Sequence, residues 1–396
     1  MSHVVFLTPP TTGHTNPVLP LVEELRSRGH RVSFATGPAT SSAVRGAGAR
    51  AIELPLEVHD ATAGDEGFST RALAGTLNRL VDDVRTVAPA LVAALEADRP
   101  DLICYDDLFF VGPLLGGRFS VPSVKLVPHF ADNEHFSLAA HMVPHGFDLA
   151  EPFMAAFAEN VMRLAGEWMP ASAPAAPGTP DPSLVFIPQW FQYEGESFGK
   201  NVSFLGPCAL PGGTDGGWRP SGRVDPLVYI SLGTVMTDRP EFFKLCMEAF
   251  GDGPWQVAMS TGRHVGAEVL PPAPSNFEIR PFFPQREVLG YAQAFVTHAG
   301  MNSVMEALSD RVPMVMVPQT MEGAVNARRV EELGFGRVLD RGTVTAENLS
   351  EAVRQVAGDL RIRHALARAA AGLHTGGGAA AGADVIERLL AGPHDD

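Results

Sequence analysis

A segment rich in glycine and proline near the middle of the chain separates two halves with the same alternation of strand and helix patterns. Residues 206–226 read GPCALPGGTDGGWRPSGRVDP, and apolar periodicity disappears across them. On both sides, short apolar runs alternate with amphipathic helical patterns, which is typical of parallel α/β domains. Because a single hydrophobic core stops growing near roughly 250–300 residues, a chain of 396 residues is expected to split. The prediction is a first domain at 1–205, a linker at 206–226, a second domain at 227–375, and a C-terminal helical segment at 376–396 that is a candidate to cross back to the first domain.

The first residues show the α/β pattern most clearly. Residues 3–8 form a β-branched and aromatic run that predicts a strand, and a turn of proline, threonine and glycine follows. Asn16 suits the N-cap of the next helix with Pro17 at its first position, and Gly29 lies just past its last turn. Further strands are predicted at 31–35, 102–105, 121–127, 227–232, 255–260, 295–297 and 314–317, and helices near 241–250, 303–309, 346–357 and 379–390.

The charge and the cysteines exclude several classes of partner. A formal net charge of −15 disfavours nucleic acid and anionic membranes, which both need a basic surface. A small anionic ligand would therefore be bound by local backbone dipoles, such as the N-terminus of a helix. The three widely spaced cysteines argue against a disulfide framework and a structural zinc site, and they fit a reducing cytoplasm. The first residues lack the pattern of a secretory signal, and no run approaches the roughly eighteen apolar residues of a membrane span.

The most informative segment is THAGMNSVMEAL at residues 297–308. It places a glycine-containing turn directly after a strand and before an amphipathic helix, and Gly300 lets the backbone approach a ligand closely. Asn302 and Ser303 offer side-chain donors beside the unpaired amides of the helix start, an arrangement that suits a diphosphate. Glu306, one turn further, is a candidate acceptor for a ribose hydroxyl. Taken alone, the segment fits a plain strand-to-helix turn with a capping serine equally well.

The nine residues HAGMNSVME at 298–306 resemble the nucleotide-sugar signature of family 1 glycosyltransferases, especially the bacterial macrolide-type enzymes that glycosylate antibiotics and flavonoids. Other segments similar to that family occur in the expected order and cover almost the whole chain: GHTNP at 13–17, SLGT at 231–234, FFPQ at 282–285 and PQTME at 318–322. The resemblance implies the α/β GT-B fold, two doubly wound Rossmann-like domains that face each other across a cleft. It also implies an N-terminal domain that binds the acceptor and a C-terminal domain that binds the nucleotide sugar.

The same resemblance implies a set of binding residues. A phosphate-side loop, an aromatic element that stacks on the base and the residues around the helix start are expected to bind the nucleotide, and the segment at 318–322 is expected to contact the sugar. These donor-site residues are Ser231, Gly233, Thr234, Phe282, Phe283, Gln285, His298, Gly300, Asn302, Ser303, Glu306 and Glu322. The acceptor is expected to contact Asn16, Phe130 and Phe136, since small-molecule pockets are usually lined by apolar side chains.

Transfer of a sugar to a hydroxyl needs a base that removes the acceptor proton, and histidine suits this task because its pKa lies near neutrality. His14 is the candidate, since it follows the first strand at the carboxyl edge of the sheet, where ligands of open α/β folds bind. A buried carboxylate on its other nitrogen would orient the ring and stabilise the imidazolium. Asp106 at the end of a strand is the candidate, with the adjacent Asp107 as the alternative. Members of the family invert the anomeric centre by direct displacement, so the resemblance implies neither an enzyme nucleophile nor a bound metal.

Histidines and aromatic residues are concentrated in residues 129–145. A helix would place His141 and His145 on one face, but Pro144 interrupts it and no HExxH pattern accompanies them. An acceptor-binding loop is therefore preferred over a zinc site. Plain core packing explains each of the phenylalanines in this region equally well.

One position departs from the family pattern. The family usually has Asp-Gln or Glu-Gln at its sugar-contacting pair, whereas this chain has Glu322 followed by Gly323. Glycine offers no hydrogen-bonding side chain to a sugar hydroxyl. The donor is therefore expected to be a UDP- or dTDP-linked sugar, with room for a deoxyhexose as well as a hexose.

These observations together predict an inverting O-glycosyltransferase that acts on a hydroxyl of a small apolar natural product, such as a polyketide, a macrolide or a flavonoid-like compound. A nucleotide-sugar epimerase of the same fold and a nucleotide-sugar-binding protein without turnover are the alternatives. A dinucleotide oxidoreductase is disfavoured because the first loop lacks GxGxxG. The protein is expected to work in the cytoplasm as a monomer or homodimer, with no cofactor beyond its donor substrate.

Overall fold

Two parallel β-sheets, one in each half of the chain, organise the molecule. The structure is a computed structural model that describes residues 1–56, 69–109, 111–148, 150–168, 181–208, 217–220, 226–235, 237–251, 253–266 and 269–392. All elements and contacts below belong to these ranges.

The first sheet contains seven parallel strands in the order β3-β2-β1-β4-β5-β6-β7. The strands are β1 (His3–Leu7), β2 (Arg31–Thr36), β3 (Arg50–Glu53), β4 (Leu102–Asp106), β5 (Ser123–Val127), β6 (Ser183–Val185) and β7 (Val202–Phe204). In β1, Val4 and Phe6 enter one hydrophobic core, whereas Val5 and Leu7 enter another, because successive side chains point to opposite faces. Both faces are therefore covered, which explains why the central strands are apolar without alternation.

Helices of the first half cover these two faces. They are α1 (Thr12–Thr15), α2 (Leu19–Ser27), α3 (Pro38–Gly46), α4 (Thr70–Ala97), α5 (Gly112–Phe119), α6 (Leu138–Met142) and α7 (Pro152–Trp168). Ser69 caps α4 by accepting a hydrogen bond from the amide of Ala72. Apolar side chains on one stripe of this long helix, among them Val84 and Leu91, enter the core behind β1.

The second sheet has six parallel strands in the order β10-β9-β8-β11-β12-β13. The strands are β8 (Leu227–Ser231), β9 (Gln256–Ser260), β10 (Phe277–Arg280), β11 (Ala292–Thr297), β12 (Met314–Met316) and β13 (Gly336–Val338). The helices are α8 (Pro240–Phe250), α9 (Gln285–Leu289), α10 (Met301–Ser309), α11 (Met321–Glu332), α12 (Ala346–Gly358) and α13 (Leu360–Gly372). Leu227 and Tyr229 enter one core, and Val228 and Ile230 the other, so this sheet is also covered on both faces.

The predicted strands and most predicted helices occur within three residues of their expected bounds. The pattern did not indicate β3, β6, β7, β10 and β13, which are three or four residues long and lie at or next to a sheet edge. Such short strands carry too few residues to show a period.

The helix after β1 starts differently from the prediction. The short helix α1 comes first, and α2 begins only at Leu19. Asn16 has φ −59° and ψ −41°, which is helical backbone, whereas an N-cap residue is extended. The prediction of Asn16 as an N-cap is therefore wrong, because the residue ends α1 as its C-cap.

The last helix, α14 (Gly378–Ala391), packs on the first half of the chain. Ile386 joins the same hydrophobic core as Leu21 of α2. Arg28 Nη1 lies 2.8 Å from Glu387 Oε2, which adds an ion pair between the two helices. None of the helices that the structure describes combines the length and the hydropathy needed to cross a bilayer.

The two halves touch directly as well. The Arg329 guanidinium of α11 donates to the backbone carbonyls of Phe191 at 2.8 Å and Trp190 at 3.1 Å. The strands of the first sheet lie between residues 3 and 204, and those of the second between 227 and 338. Most of the predicted linker, at 209–216 and 221–225, lies outside the described residues. The domain bounds at 1–205 and 227–375 therefore stay a proposal.

Candidate active site

The candidate site lies where the switch points of the two sheets meet. Open parallel sheets bind ligands at the carboxyl ends of strands, where the strand order reverses. That point lies between β1 and β4 in the first sheet and between β8 and β11 in the second. Loops that follow these strands contact each other: Thr12 Oγ1 lies 3.0 Å from Thr234 Oγ1, and Asn302 Nδ2 donates to the Gly13 carbonyl over 2.9 Å. The predicted acceptor and donor loops therefore face each other.

His14 and Asp106 form a hydrogen-bonded pair on the first-sheet side of this contact. His14 lies on α1, directly after β1, and Asp106 is the last residue of the neighbouring strand β4. His14 Nδ1 is 2.8 Å from Asp106 Oδ2, and the amide of Leu108 donates to Asp106 Oδ1 at 3.0 Å. The carboxylate is fully buried, whereas the His14 side chain is 21% exposed. Of the two adjacent aspartates, Asp106 is thus the one that bonds His14.

The surroundings of His14 leave one ring nitrogen open to a ligand. Burial opposes the imidazolium, but the Asp106 carboxylate outweighs it and raises the pKa of His14 above its ordinary 6.5. A carboxylate only accepts, so in the neutral ring Nδ1 donates its proton to Asp106 and Nε2 keeps a lone pair. None of the described residues is hydrogen-bonded to His14 Nε2. This atom is therefore available to accept a proton from a bound molecule.

A second histidine–aspartate pair lies beside the first. His129 Nε2 is 3.0 Å from Asp107 Oδ2, and the His129 ring centroid is 6.4 Å from that of His14. Sequence reasoning placed His129 in an acceptor loop and treated Asp107 only as an alternative partner of His14. The two adjacent aspartates at the end of one strand were the signal in the sequence that two histidines could each pair with a carboxylate.

On the second-sheet side, the imidazole of His298 lies between two loop glycines. A Cβ on Gly233 would lie 2.6 Å from His298 Cε1, and a Cβ on Gly300 would lie 2.5 Å from Nε2, so neither position accepts a side chain without movement. Ala299 has φ 64°, a left-handed conformation that costs energy for a residue with a Cβ. Burial lowers the pKa of His298 to about 4, so the ring is neutral at physiological pH. The loops after β8 and β11 are thus packed around a neutral histidine.

Polar side chains surround the start of α10. Gly300 is its N-cap and has no side chain to bind the first amides of the helix. Gln285 Nε2 donates to Ser303 Oγ at 3.1 Å and to Glu306 Oε2 at 2.7 Å. Burial raises the pKa of Glu306 above its usual range. The structure therefore brings together the uncapped helix start and three of the predicted nucleotide-binding side chains.

The two adjacent phenylalanines of the 282–285 segment have different environments. Phe282 is 47% exposed, and the Arg263 guanidinium lies 5.9 Å from its ring centroid. Phe283 is buried and packs edge-on against Trp218 and Tyr229. Phe282 is therefore the more accessible of the two rings, and contact of either ring with a nucleotide stays a prediction.

The three predicted acceptor residues also differ in how exposed their side chains are. Phe130 and Phe136 are fully buried, with Phe130 stacked on Phe191 at 5.7 Å and Phe136 on Tyr193 at 5.4 Å. Their rings pack in the hydrophobic core, and their contact with an acceptor stays a prediction. Asn16 is exposed at the end of α1.

Glu322 and Gly323 lie in the first turn of helix α11, which Thr320 caps by accepting from the Gly323 amide at 3.0 Å. A Cβ at Gly323 would lie 2.9 Å from the carbonyl oxygen of His298. Glycine is therefore required by the close approach of the loop after β11, and no side chain extends beside Glu322 from this position. Ser231, also predicted for the donor site, accepts from the Gly233 amide at 3.2 Å.

His141 packs among aromatic rings and does not meet His145 at a shared site. His141 lies against Phe136, with ring centroids 4.5 Å apart. Within the part of the chain that the structure describes, no group of three or more histidine, cysteine or carboxylate side chains has an arrangement that could hold a metal ion.

Comparison with known proteins agrees with this geometry. Residues 207–370 match the family described as UDP-glucoronosyl and UDP-glucosyl transferase. A demethyllactenocin mycarosyltransferase of Streptomyces fradiae is 37% identical over 98% of this chain and 87% of its own length. The NDP-glycosyltransferase YjiC of Bacillus subtilis is 34% identical over 98% and 97%. A solved structure, the glycotransferase of kitacinnamycin, has a TM-score of 0.84 with 29% identity and covers 98% of this chain and 99% of its own.

The predicted GT-B architecture is confirmed by the two facing parallel sheets and by this structural likeness over nearly the whole chain. The predicted class of enzyme is confirmed by glycosyltransferase relatives that are 34% and 37% identical over nearly its full length. The chain belongs to the UDP-glucoronosyl and UDP-glucosyl transferase family and is a natural-product glycosyltransferase with the GT-B fold.

Proposed function

We propose that this enzyme transfers a hexose or deoxyhexose from a UDP- or dTDP-sugar to a hydroxyl of a small apolar natural product, with inversion at the anomeric carbon. The observation that carries the proposal is the contact between the two switch points. It brings the short helix that carries His14 against the loop after β8, through Thr12 and Thr234, and against the start of α10, through Gly13 and Asn302. The acceptor class is a polyketide, a macrolide or a flavonoid-like compound.

The proposed reaction is a single displacement. As the acceptor oxygen forms a bond to C1 of the sugar, its proton passes to His14 Nε2 and the bond between C1 and the diphosphate oxygen breaks. Asp106 stabilises the imidazolium that forms and keeps Nε2 pointed at the acceptor. The charge of the departing diphosphate is met by the amides at the start of α10 and by Asn302 and Ser303, without a divalent ion.

Phe282 is the proposed stacking surface for the base. Replacing Phe282 by alanine is expected to weaken UDP or dTDP binding by about 1–3 kcal/mol, roughly 5–150-fold in Kd, because the exposed ring face is lost. Isothermal titration calorimetry with each nucleotide measures the effect.

Phe153→Ala is the matched control for Phe282, since Phe153 is also an exposed phenylalanine, 38% accessible, with an arginine over its ring. It lies on α7 in the first half of the chain, so this variant should keep the wild-type nucleotide Kd. Equal Kd values for wild type and Phe282→Ala would remove Phe282 from the nucleotide site.

The sugar preference is proposed from Glu322 and Gly323. Since no side chain extends from position 323, a donor that lacks a hydroxyl on this side leaves no protein group unpaired. We expect at least one dTDP-deoxysugar to be used with a kcat/KM equal to or above that of UDP-glucose. A mass-spectrometric screen of UDP- and dTDP-sugars against polyketide and flavonoid acceptors measures this. Fast use of UDP-glucose with no turnover of any deoxysugar would contradict the inference.

The same screen separates the other functions. An epimerase would change the donor when no acceptor is present, and a binding protein would change neither substrate. For location, we propose the cytoplasm, because Cys104, Cys208 and Cys246 are all free thiols and buried.

A further inference from the structure

The two histidines of the site differ in how their ring nitrogens are occupied. His129 Nε2 faces a carboxylate oxygen of Asp107 at 3.0 Å, and His129 Nδ1 faces the carbonyl oxygen of Phe130 at 2.9 Å. Both partners only accept hydrogen bonds, so both ring nitrogens have to carry a proton. His129 is therefore an imidazolium. His14, in contrast, bonds one carboxylate and keeps Nε2 for a ligand.

His129 has no nitrogen left to take a proton, so it does not compete with His14 as a base. Its side chain is 12% exposed, which leaves little room for a ligand. Its charge, however, lies close to the base, with the two ring centroids 6.4 Å apart. A fixed positive charge at this distance disfavours a second positive charge on His14.

We propose that His129 is a positioning residue for the reaction: its fixed positive charge offsets the charge of Asp107, and so limits how strongly the carboxylates around His14 hold a second proton on that ring. The proposal rests on the proposed function, because it takes His14 as the base.

The charged groups around the pair agree with this role. Asp107 has a second carboxylate oxygen that is buried without a hydrogen-bond partner among the described residues, so His129 is its main counter-ion. Despite burial, His129, then His14 and then Lys125 of β5 lower the pKa of Asp107 to about 2. Asp107, followed by Glu322 of α11, raises the pKa of His129 well above its ordinary value, against the opposing effect of burial.

The effect on His14 has a definite sign. Asp106 and Asp107 both favour the His14 imidazolium, and His129 is the nearby cation that opposes them. Loss of His129 alone removes the opposing charge and leaves Asp107 uncompensated, so the pKa of His14 should rise. Loss of both charges should change the pKa of His14 much less, because their effects on it are opposite.

The test is the pH dependence of kcat/KM in wild type, His129→Gln, Asp107→Asn and the double variant. A base must be neutral to act, so activity falls as the pH drops through the pKa of His14. We expect His129→Gln to move this acid limb to higher pH by on the order of one unit. Asp107→Asn should move it to lower pH, and the double variant should stay near wild type. His129→Lys, which restores a positive charge, should reverse most of the shift.

A direct titration of His14 keeps the test independent of turnover. Its imidazole resonances, assigned by their loss in a His14→Gln sample, should report the same pKa order across the variants by NMR. A uniform loss of kcat with an unmoved acid limb and an unmoved His14 titration would overturn the proposal, since that is what a purely structural role produces. If His129→Gln does not fold, the Asp107→Asn variant tests the proposal instead. An unchanged or raised His14 pKa in Asp107→Asn would contradict the proposal. If His14→Ala keeps full activity, the assignment of His14 as the base fails. The order of His14 pKa values that NMR measures across the other variants still tests whether the charges of His129 and Asp107 act on His14.

Discussion

Replacing His14 by alanine is expected to lower kcat for sugar transfer by about 10²–10⁴-fold while leaving the nucleotide Kd nearly unchanged. The methyl side chain removes the only atom proposed to take the acceptor proton, the Nε2 that no described residue occupies. The nucleotide is expected to bind on the second sheet, around His298 and the start of α10, so its affinity should survive. Initial rates with saturating donor and acceptor, together with calorimetric nucleotide titration, measure the two effects separately.

A matched histidine variant controls for indirect effects. His364 lies exposed on α13 and belongs to neither of the two contacting loops, so His364→Ala should show wild-type kcat. Undiminished transfer by His14→Ala would show that another group takes the proton. A parallel loss of kcat and of nucleotide affinity would instead indicate that the contact between the halves had been disturbed, since the carbonyl of Gly13 accepts from Asn302.

The second large effect is expected for Asp106→Asn, which should lower kcat by about 10²–10⁴-fold with little change in the KM for the donor. Asparagine keeps the size and an oxygen that can accept from the Leu108 amide, as Asp106 Oδ1 does at 3.0 Å. The amide nitrogen would then face His14 as a donor, so His14 Nδ1 has to accept and Nε2 carries the proton. That tautomer cannot take a proton from the acceptor. The pH profile and kcat of the variant measure the loss.

Asp82→Asn provides the control for this variant. Asp82 is an exposed residue of α4 whose carboxylate pairs with Arg85 one turn along the helix, and exposed pairs of this kind contribute little. Thermal unfolding should distinguish a catalytic loss from a structural one, because Asp106 is fully buried. A folded Asp106→Asn enzyme with wild-type kcat would show that the aspartate does not act through His14.

The positions of the site loops could be predicted because they follow local rules. Residues that directly follow buried strands of a parallel sheet come to its carboxyl edge, which placed His14, Asp106 and the 298–306 segment at the two switch points. The glycine at 300 could be recognised as a close approach, although the group that approaches is a neighbouring imidazole, His298.

Other features depend on contacts that no local pattern contains. Burial of Phe130 and Phe136 is decided by Phe191 and Tyr193, which lie more than fifty residues away along the chain. The helical backbone of Asn16 follows from the short helix α1, which has only four residues and hence no detectable period. The exposed position of Phe282 and the buried position of Phe283 are likewise set by packing against Trp218 and Tyr229.

By itself, the amino-acid sequence determined the two α/β halves, the class of enzyme and the loops that carry its polar residues. Hydrophobic periods and turn residues act over a few positions, so they can be read without the fold. Only the tertiary structure decided which partners those loops meet: Asp106 for His14 across 92 residues, Asp107 for His129, and Gly13 for Asn302 across 289. Side-chain pairing across such separations depends on the packing of whole sheets, because distances and burial, rather than residue types, determine which groups bond and which nitrogen stays open.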